Sequence, residues 1–491
     1  MPLKLQPGLS IGGYTLVEPL HEGGMSRLWS VTHPDQAMPL LMKLPRIDYG
    51  EAVSQVVSFE VERMLMPMIG GEHVPRYVAS GEHEDQPWLV MQHVAGETLQ
   101  PLLEKLPLAA ARVAAIGAMT ALALEDLHHQ RVVHLDVKPG NVLLHTNPLD
   151  GRESAVLLDF GLSHHADLPD LLAEQFHVPM GTAPYIAPEQ VLGVRDEPRS
   201  DLFALGVTLY QLATGRLPFG APASTAGMRR RLHDEPAAPR QINPAIPRWL
   251  QEIILRCLEV DPDRRHASAA QLAFDLQHPD QVPLTARADR LARHGWASRA
   301  LKWLSALGTR ATIERRKTVA TRRAPLIMTA IDLKQTDRAL DEALRDMTTR
   351  IVQTAADSRL ACVTVLRVAR IGIEPTLDIE GRNRHVKRLI ALRDWARSLP
   401  LEEHRITFHV LESSDVADAL VDYARSNRID QLIMGARGVT GVRRMLGSVS
   451  SRVVAEANCT VTVVRAGRGV AAEETAVGND AAGSGSGAEP E

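Results

Sequence analysis

Two short segments constrain this chain more than anything else in it. They are His134-Leu135-Asp136-Val137-Lys138-Pro139-Gly140-Asn141 and Asp159-Phe160-Gly161. The first places an acid, a lysine and an amide within six residues. The second brings another acid eighteen residues later, between apolar Leu158 and Phe160. Transfer of a phosphoryl group from ATP needs this set. One carboxylate orients the attacking hydroxyl and accepts its proton, and a cation steadies the moving group. An amide oxygen and the second carboxylate hold magnesium. On that chemistry Asp136, Lys138 and Asn141 are the catalytic candidates, and Asn141 and Asp159 the metal ligands.

At 491 residues the chain exceeds one ordinary core, so two or three domains are expected. Residues 14 to about 100 read as short strands around one helix. The strands are Tyr14-Thr15-Leu16-Val17, Leu28-Trp29-Ser30-Val31 and Leu40-Leu41-Met42-Lys43-Leu44, broken by Gly and Pro. Residues 51 to 69 follow helical spacing, with Leu65, Met66 and Ile69 at offsets of three, four and seven from Glu62. Beyond Leu102 the pattern turns helical, with helices expected over Ala109 to Gln130, Asp201 to Thr214 and Pro247 to Glu259. From Ala324 strands and helices alternate: Leu326 to Ile331, Leu360 to Val368, Ile406 to Leu411, Gln431 to Met434 and Thr460 to Val464. A parallel sheet is expected there.

The two opening segments resemble the catalytic loop and metal-binding turn of protein kinases. The likeness to bacterial serine/threonine kinases of the eukaryotic-like kind covers residues 14–278. It implies an α+β bilobal protein-kinase fold, with ATP and Mg2+ as cofactors and protein Ser or Thr hydroxyls as substrates. Lys43 then contacts the α- and β-phosphates and Glu62 pairs with it, Glu60 being the alternative. Pro87 to Val94 resembles the strand into the hinge. Met91 would back the pocket, and backbone near Gln92, His93 and Val94 would bind adenine. Gly181 to Glu189 resembles the end of the activation segment, where Glu189 would pair with Arg265. Ser200-Asp201 resembles the helix start whose acid supports the catalytic loop. Lys138 and Thr182 together are the serine/threonine signature.

Two departures from that pattern stand out. The phosphate-covering loop keeps Gly23 and Gly24 but has His21 and Ser26 where the family has glycine, which lets backbone approach phosphate. Leu135 replaces the arginine that normally receives an activation-loop phosphate. The loop from Leu162 to Met180 holds one hydroxyl residue, Ser163, among acidic Asp167, Asp170 and Glu174. Activity independent of loop phosphorylation is therefore expected.

Met434-Gly435-Ala436-Arg437-Gly438, eight residues, then Gly447-Ser448 forms a glycine turn between an apolar strand and a helix. Such turns aim backbone N–H groups at an anion. The segment resembles the nucleotide-binding loop of the universal stress protein family, over residues 324–467. The usual motif has nine residues before its final Gly-Ser. The resemblance implies an α/β domain with a parallel five-stranded sheet, nucleotide bound near Asp332, Gly435, Gly438, Gly447 and Ser448, and a homodimer formed through this domain.

Between the two units, residues 279–323 are a basic linker, partly helical. Residues 287 to 323 carry eleven Lys or Arg against Asp289 and Glu314. Trp296, Ala300, Trp303, Leu304 and Leu307 could line one face of a helix there. Packing between domains or a solvated linker is the plain reading, and contact with an anionic membrane surface the other. Residues 468–491 read as a disordered tail. A net charge of -4 gives no indication of nucleic acid as a partner. Only Cys257, Cys362 and Cys459 occur, and no apolar run reaches membrane-spanning length, so a cytoplasmic protein is expected. The rival to an active kinase is a catalytically weak or inactive nucleotide-binding scaffold, on account of His21.

Overall fold

The computed structural model describes residues 4–23, 26–46, 53–83, 86–176, 178–291, 325–334, 337–355, 358–368, 384–402, 405–436 and 447–465. Gly24, Gly438, most of the basic linker and the tail lie outside them.

A six-stranded antiparallel sheet forms the first lobe, in the order Ser10–Ile11, Tyr14–Glu22, Ser26–His33, Gln36–Pro45, Gln86–Gln92, Tyr77–His83. Side chains alternate across a strand, and this fixes the site. Leu40, Met42 and Leu44 pack into the lobe's own core with Leu16, Trp29 and Val90. Leu41 and Lys43 therefore face the opposite side, toward the cleft. The helix Val53–Leu65 is shorter than its sequence period indicated. Pro67 cannot donate a helical hydrogen bond, and Met66–Met68 tightens into a 3-10 turn.

The second lobe is helical, built on Ala110–His129, Arg199–Thr214, Arg248–Cys257 and Ala269–Gln277. Arg199–Thr214 runs through its centre, buried along nearly all its length, and ends at Gly215 with φ 72°. Gly206 in it is required by close packing, since a Cβ there would lie 2.4 Å from the Cys257 Cβ. One continuous core joins Phe59 and Leu65 of the first lobe to Val137, Phe160, Leu205 and Ile253 of the second.

The C-terminal sheet has five strands, all parallel, in the order Ile406–Ser413, Arg359–Arg367, Leu326–Ala330, Gln431–Gly435, Thr460–Val464. Helices Arg338–Thr354 and Arg384–Ala396 cover one face, and Val416–Ser426 and Ser448–Glu456 the other, each over its own core. Strand order reverses between Leu326–Ala330 and Gln431–Gly435, the place where open α/β sheets bind ligands. Among the described residues no helix is long and apolar enough to cross a membrane.

Candidate active site and a second cavity

A cleft of about 560 Å³ separates the two lobes, lined by His21, Gly23, Lys43, Glu62, Met91, Asn141 and Asp159 among others. Lys43 Nζ lies 2.5 Å from Glu62 Oε2 and 3.0 Å from Asp159 Oδ1. It is Glu62, not Glu60, that meets the lysine. Two residues around a helix is about 200°, so Glu60 faces away from the cleft. Burial works against the charge of Lys43, but Asp159 and Glu62 outweigh it and raise its pKa above the ordinary lysine value. Burial raises the Glu62 pKa against the opposing pull of Lys43. The charge of Lys43 holds Asp159 down at about 2.

The two opening segments lie side by side. The Leu158 N–H donates to the Asn141 carbonyl at 2.9 Å, and the His134 ring bonds the Leu158 carbonyl at 3.1 Å. Asp136 accepts at both oxygens. Oδ1 takes the Thr182 hydroxyl at 2.6 Å and the Thr182 N–H at 2.9 Å. Oδ2 takes Lys138 Nζ at 2.6 Å and the Asn141 amide at 3.1 Å. Lys138 Nζ also donates to the Thr182 hydroxyl at 2.9 Å. The Asn141 nitrogen faces the Asp136 carbonyl as well, at 2.9 Å, which leaves its amide oxygen as the atom able to meet a hard cation.

The loop carrying Asp136 is held from beneath. Leu135 has φ 64°, a costly conformation for a non-glycine residue. Its N–H and that of His134 donate to the two oxygens of fully buried Asp201, at 2.8 and 2.9 Å. Gln190 Nε2 donates to the Leu135 carbonyl at 2.9 Å. Glu189 and Arg265 form a buried two-pronged pair at 2.6 and 2.8 Å, with the Ser200 hydroxyl on the same carboxylate at 2.6 Å. Arg231, 1% exposed, donates to the carbonyls of Ile186 and Ala183. Burial pushes its pKa down to about 10. Sequence reasoning missed Gln190 and Arg231, because both act on backbone carbonyls and leave no mark in spacing or charge pattern.

At the hinge, the Gln92 and His93 amides are already engaged by the carbonyls of Arg76 and Pro39, at 2.8 and 2.9 Å. Of the three hinge amides this leaves that of Val94 outside these two bonds, and Gln92, His93 and Val94 all line the cleft with Met91. The His21 ring lies close to Gly23, its Nε2 3.1 Å from where a Cβ on that glycine would stand. Ser163, the one hydroxyl of the activation loop, is buried and donates to the His134 carbonyl at 3.1 Å.

A second cavity, of about 500 Å³, opens at the carboxyl ends of the C-terminal strands. Asp332, Gly435, Gly447 and Ser448 line it together. Gly447 caps the helix Ser448–Glu456, so that helix presents its N-terminus to the cavity. Among the described residues, no group of three or more His, Cys, Asp or Glu side chains forms a ready-made metal cluster.

The protein kinase domain family matches residues 14–278, more than half of the chain. The chain belongs to the protein kinase family. Its C-terminal unit matches the universal stress protein family over residues 326–465. The kinase unit is 32% identical over 288 residues to serine/threonine-protein kinase Pkn1 of Myxococcus xanthus, covering 58% of this chain and 41% of that one. It is 29% identical over 278 residues to serine/threonine-protein kinase PknB of Mycolicibacterium smegmatis, covering 55% and 44%. The chain thus spans about two-fifths of the length of these relatives. The crystal structure of the Mycobacterium tuberculosis PknI kinase domain superposes on 56% of this chain and 99% of its own, at 24% identity and a TM-score of 0.44.

Proposed function

We propose that this kinase-family chain is an active serine/threonine protein kinase. The observation that carries the proposal is the meeting of two sets in one cleft: Lys43 with Glu62 and Asp159, and Asp136 with Lys138, Asn141 and Thr182. Bound ATP with Mg2+ supplies the γ-phosphoryl group and offsets its charge. Asn141 and Asp159 are the residues that would hold the metal, since their oxygens are the hard donors such a cation takes. Lys43 positions the α- and β-phosphates, and the Val94 amide the adenine. A substrate Ser or Thr hydroxyl, entering beside Thr182, gives its proton to Asp136 as its oxygen bonds to the γ-phosphorus. The bond from that phosphorus to ADP breaks in the same step. Lys138 balances the charge of the group in transit.

Purified full-length protein given labelled ATP and a Ser/Thr-containing protein tests this directly. Incorporation lost on Asp136→Asn supports it. A folded chain that binds ATP and transfers nothing would be a scaffold instead, as His21 over the phosphate loop would then explain.

For the C-terminal unit we infer nucleotide binding at Asp332, Gly435, Gly447 and Ser448. In support, the cavity lies at the reversal of strand order and receives a helix N-terminus. Two nucleotides bound per chain, falling to one on Asp332→Ala, is the expected count. One per chain in the wild type would make this unit a docking or assembly module.

A further inference from the structure

The Val53–Leu65 helix presents three stripes to three neighbours. Glu62 reaches into the cleft to Lys43. Val57 and Val61, one turn apart, pack on Leu171 and Leu172 of the activation segment. Val56 and Glu60, again one turn apart, face the C-terminal domain, and Val56 belongs to that domain's own apolar core. The Glu60 carboxylate pairs with Arg393, and Arg393 also pairs with Glu82 on the neighbouring strand. A small cavity marks the junction, lined by Glu60 and Met64, by Leu171 and Gln175, and by Leu389 and Phe408.

The activation segment makes its own contact with the same domain. Its short helix Leu171–Gln175 carries Glu174, 9% exposed. Glu174 Oε1 accepts from Arg359 at 2.7 Å, and Oε2 lies 3.2 Å from His409 Nε2. Asn427 of the C-terminal domain donates to the Glu174 carbonyl at 3.0 Å. Burial pushes Glu174 up, but His409 and Arg359 outweigh it and keep the carboxyl below its ordinary range. An ionised acid on the activation segment thus sits against a cation supplied from outside the kinase lobes.

We propose that the C-terminal domain is a built-in activator of the kinase unit. Arg359 and His409 receive Glu174 as another kinase would receive a loop phosphate, while Arg393 holds the Glu60 side of the Val53–Leu65 helix. Docking keeps Glu62 on Lys43 and Thr182 on Asp136, and undocking releases both. Ordering by a loop phosphate is not open to this segment, because Leu135 cannot receive one and Ser163 is buried with its hydroxyl engaged. Within the kinase unit Arg195 holds Asp170 and the Leu162 carbonyl, and the C-terminal domain adds the hold on Glu174.

The chemistry of the contact suits a reversible switch. Ion pairs withdrawn from water add little net stability, yet removing one partner strands the other charge. Glu60 Oε1, Arg359 Nε and Arg393 Nε are buried without a hydrogen-bond partner among the described residues. The contact lies along the edge strand Ile406–Ser413 and at Arg359, the first residue of its neighbour, and none of the residues lining the junction lines the second cavity, so docking leaves that cavity accessible.

The inference rests on the kinase reading above, so its test has a readout independent of catalysis. In the full chain, Arg393→Glu and Glu174→Gln are compared with wild type. Phosphotransfer to a Ser/Thr protein is followed alongside hydrogen exchange in residues 53–65 and 171–175. The expected result is faster exchange in both segments and a loss of kcat of about tenfold or more, within the ordinary range of allosteric coupling. Should Arg393→Glu not fold, Glu174→Gln carries the test, since it keeps shape and removes one charge. Faster exchange with unchanged or increased kcat overturns the proposal, and so does unchanged exchange. A wild type without phosphotransfer refutes the kinase reading alone, and exchange then still decides whether docking orders the two segments.

Discussion

Asp201→Asn probes how the catalytic loop is held. Asp201 is fully buried and accepts three donors: the Leu135 N–H at 2.8 Å, and the His134 N–H and His128 ring at 2.9 Å each. The isosteric amide keeps one acceptor oxygen and turns an NH2 toward a backbone donor. One charge-assisted hydrogen bond is lost and a buried N–H is left unmet, together about 2–3 kcal/mol. Expressed as stability, that lowers Tm by roughly 4–10 °C for a domain of this size. Expressed as loop position, it is a factor of about 30 to 150 in the fraction of molecules with Asp136 in place. Leu135, already at φ 64°, is the residue most able to relax. Asp201 does not line the ATP cleft, so nucleotide affinity should hold. The assay is kcat at saturating ATP together with ATP Kd by calorimetry. A fall in kcat above tenfold with Kd within about threefold is expected. Wild-type kcat from a folded, less stable variant would refute the reasoning, because Gln190 and Ser163 would then suffice to fix the loop.

Asp136→Asn should cost on the order of 10²- to 10⁴-fold in phosphotransfer while ATP binding, measured by calorimetry, stays near wild type. Phosphatase treatment and Ser163→Ala should each leave the rate close to that of untreated enzyme, since Ser163 is buried on the His134 carbonyl. A large drop restored by preincubation with ATP would contradict this. Lys43 depresses Asp159 to about 2. The stabilising contribution of that carboxylate is therefore complete above its unfolded value of about 3.9 and lost as pH falls through about 2. No acid limb from Asp159 should appear in kcat/KM above about pH 4.5. Lys43→Met removes the depressing charge and leaves burial, so ATP binding in that variant should weaken at a higher pH than in wild type.

The sequence alone determined the order of units and the candidate residues of the first cleft. Asp136, Lys138 and Asn141 were legible because the chemistry packs them into one short loop. Lys43 was legible through the family resemblance, at the end of an apolar strand, and the fold then turns it opposite Leu40, Met42 and Leu44. The parallel C-terminal sheet was legible from alternating apolar runs, each strand within a few residues of its expected limits. What the tertiary structure decided was pairing across distance. Glu60 and Glu62 are near equals by spacing, and only the helix's orientation over the sheet sends one to Lys43 and the other to Arg393. The Gln92 and His93 amides look as available as that of Val94 until neighbouring carbonyls claim them. Glu174 reads as one more surface acid in a polar loop, and it becomes a buried anchor only when Arg359 and His409, more than 180 residues away, fold against it. Local pattern records what a residue does with its neighbours in the chain. A lone charge whose partner lies in another domain leaves no period for the sequence to show.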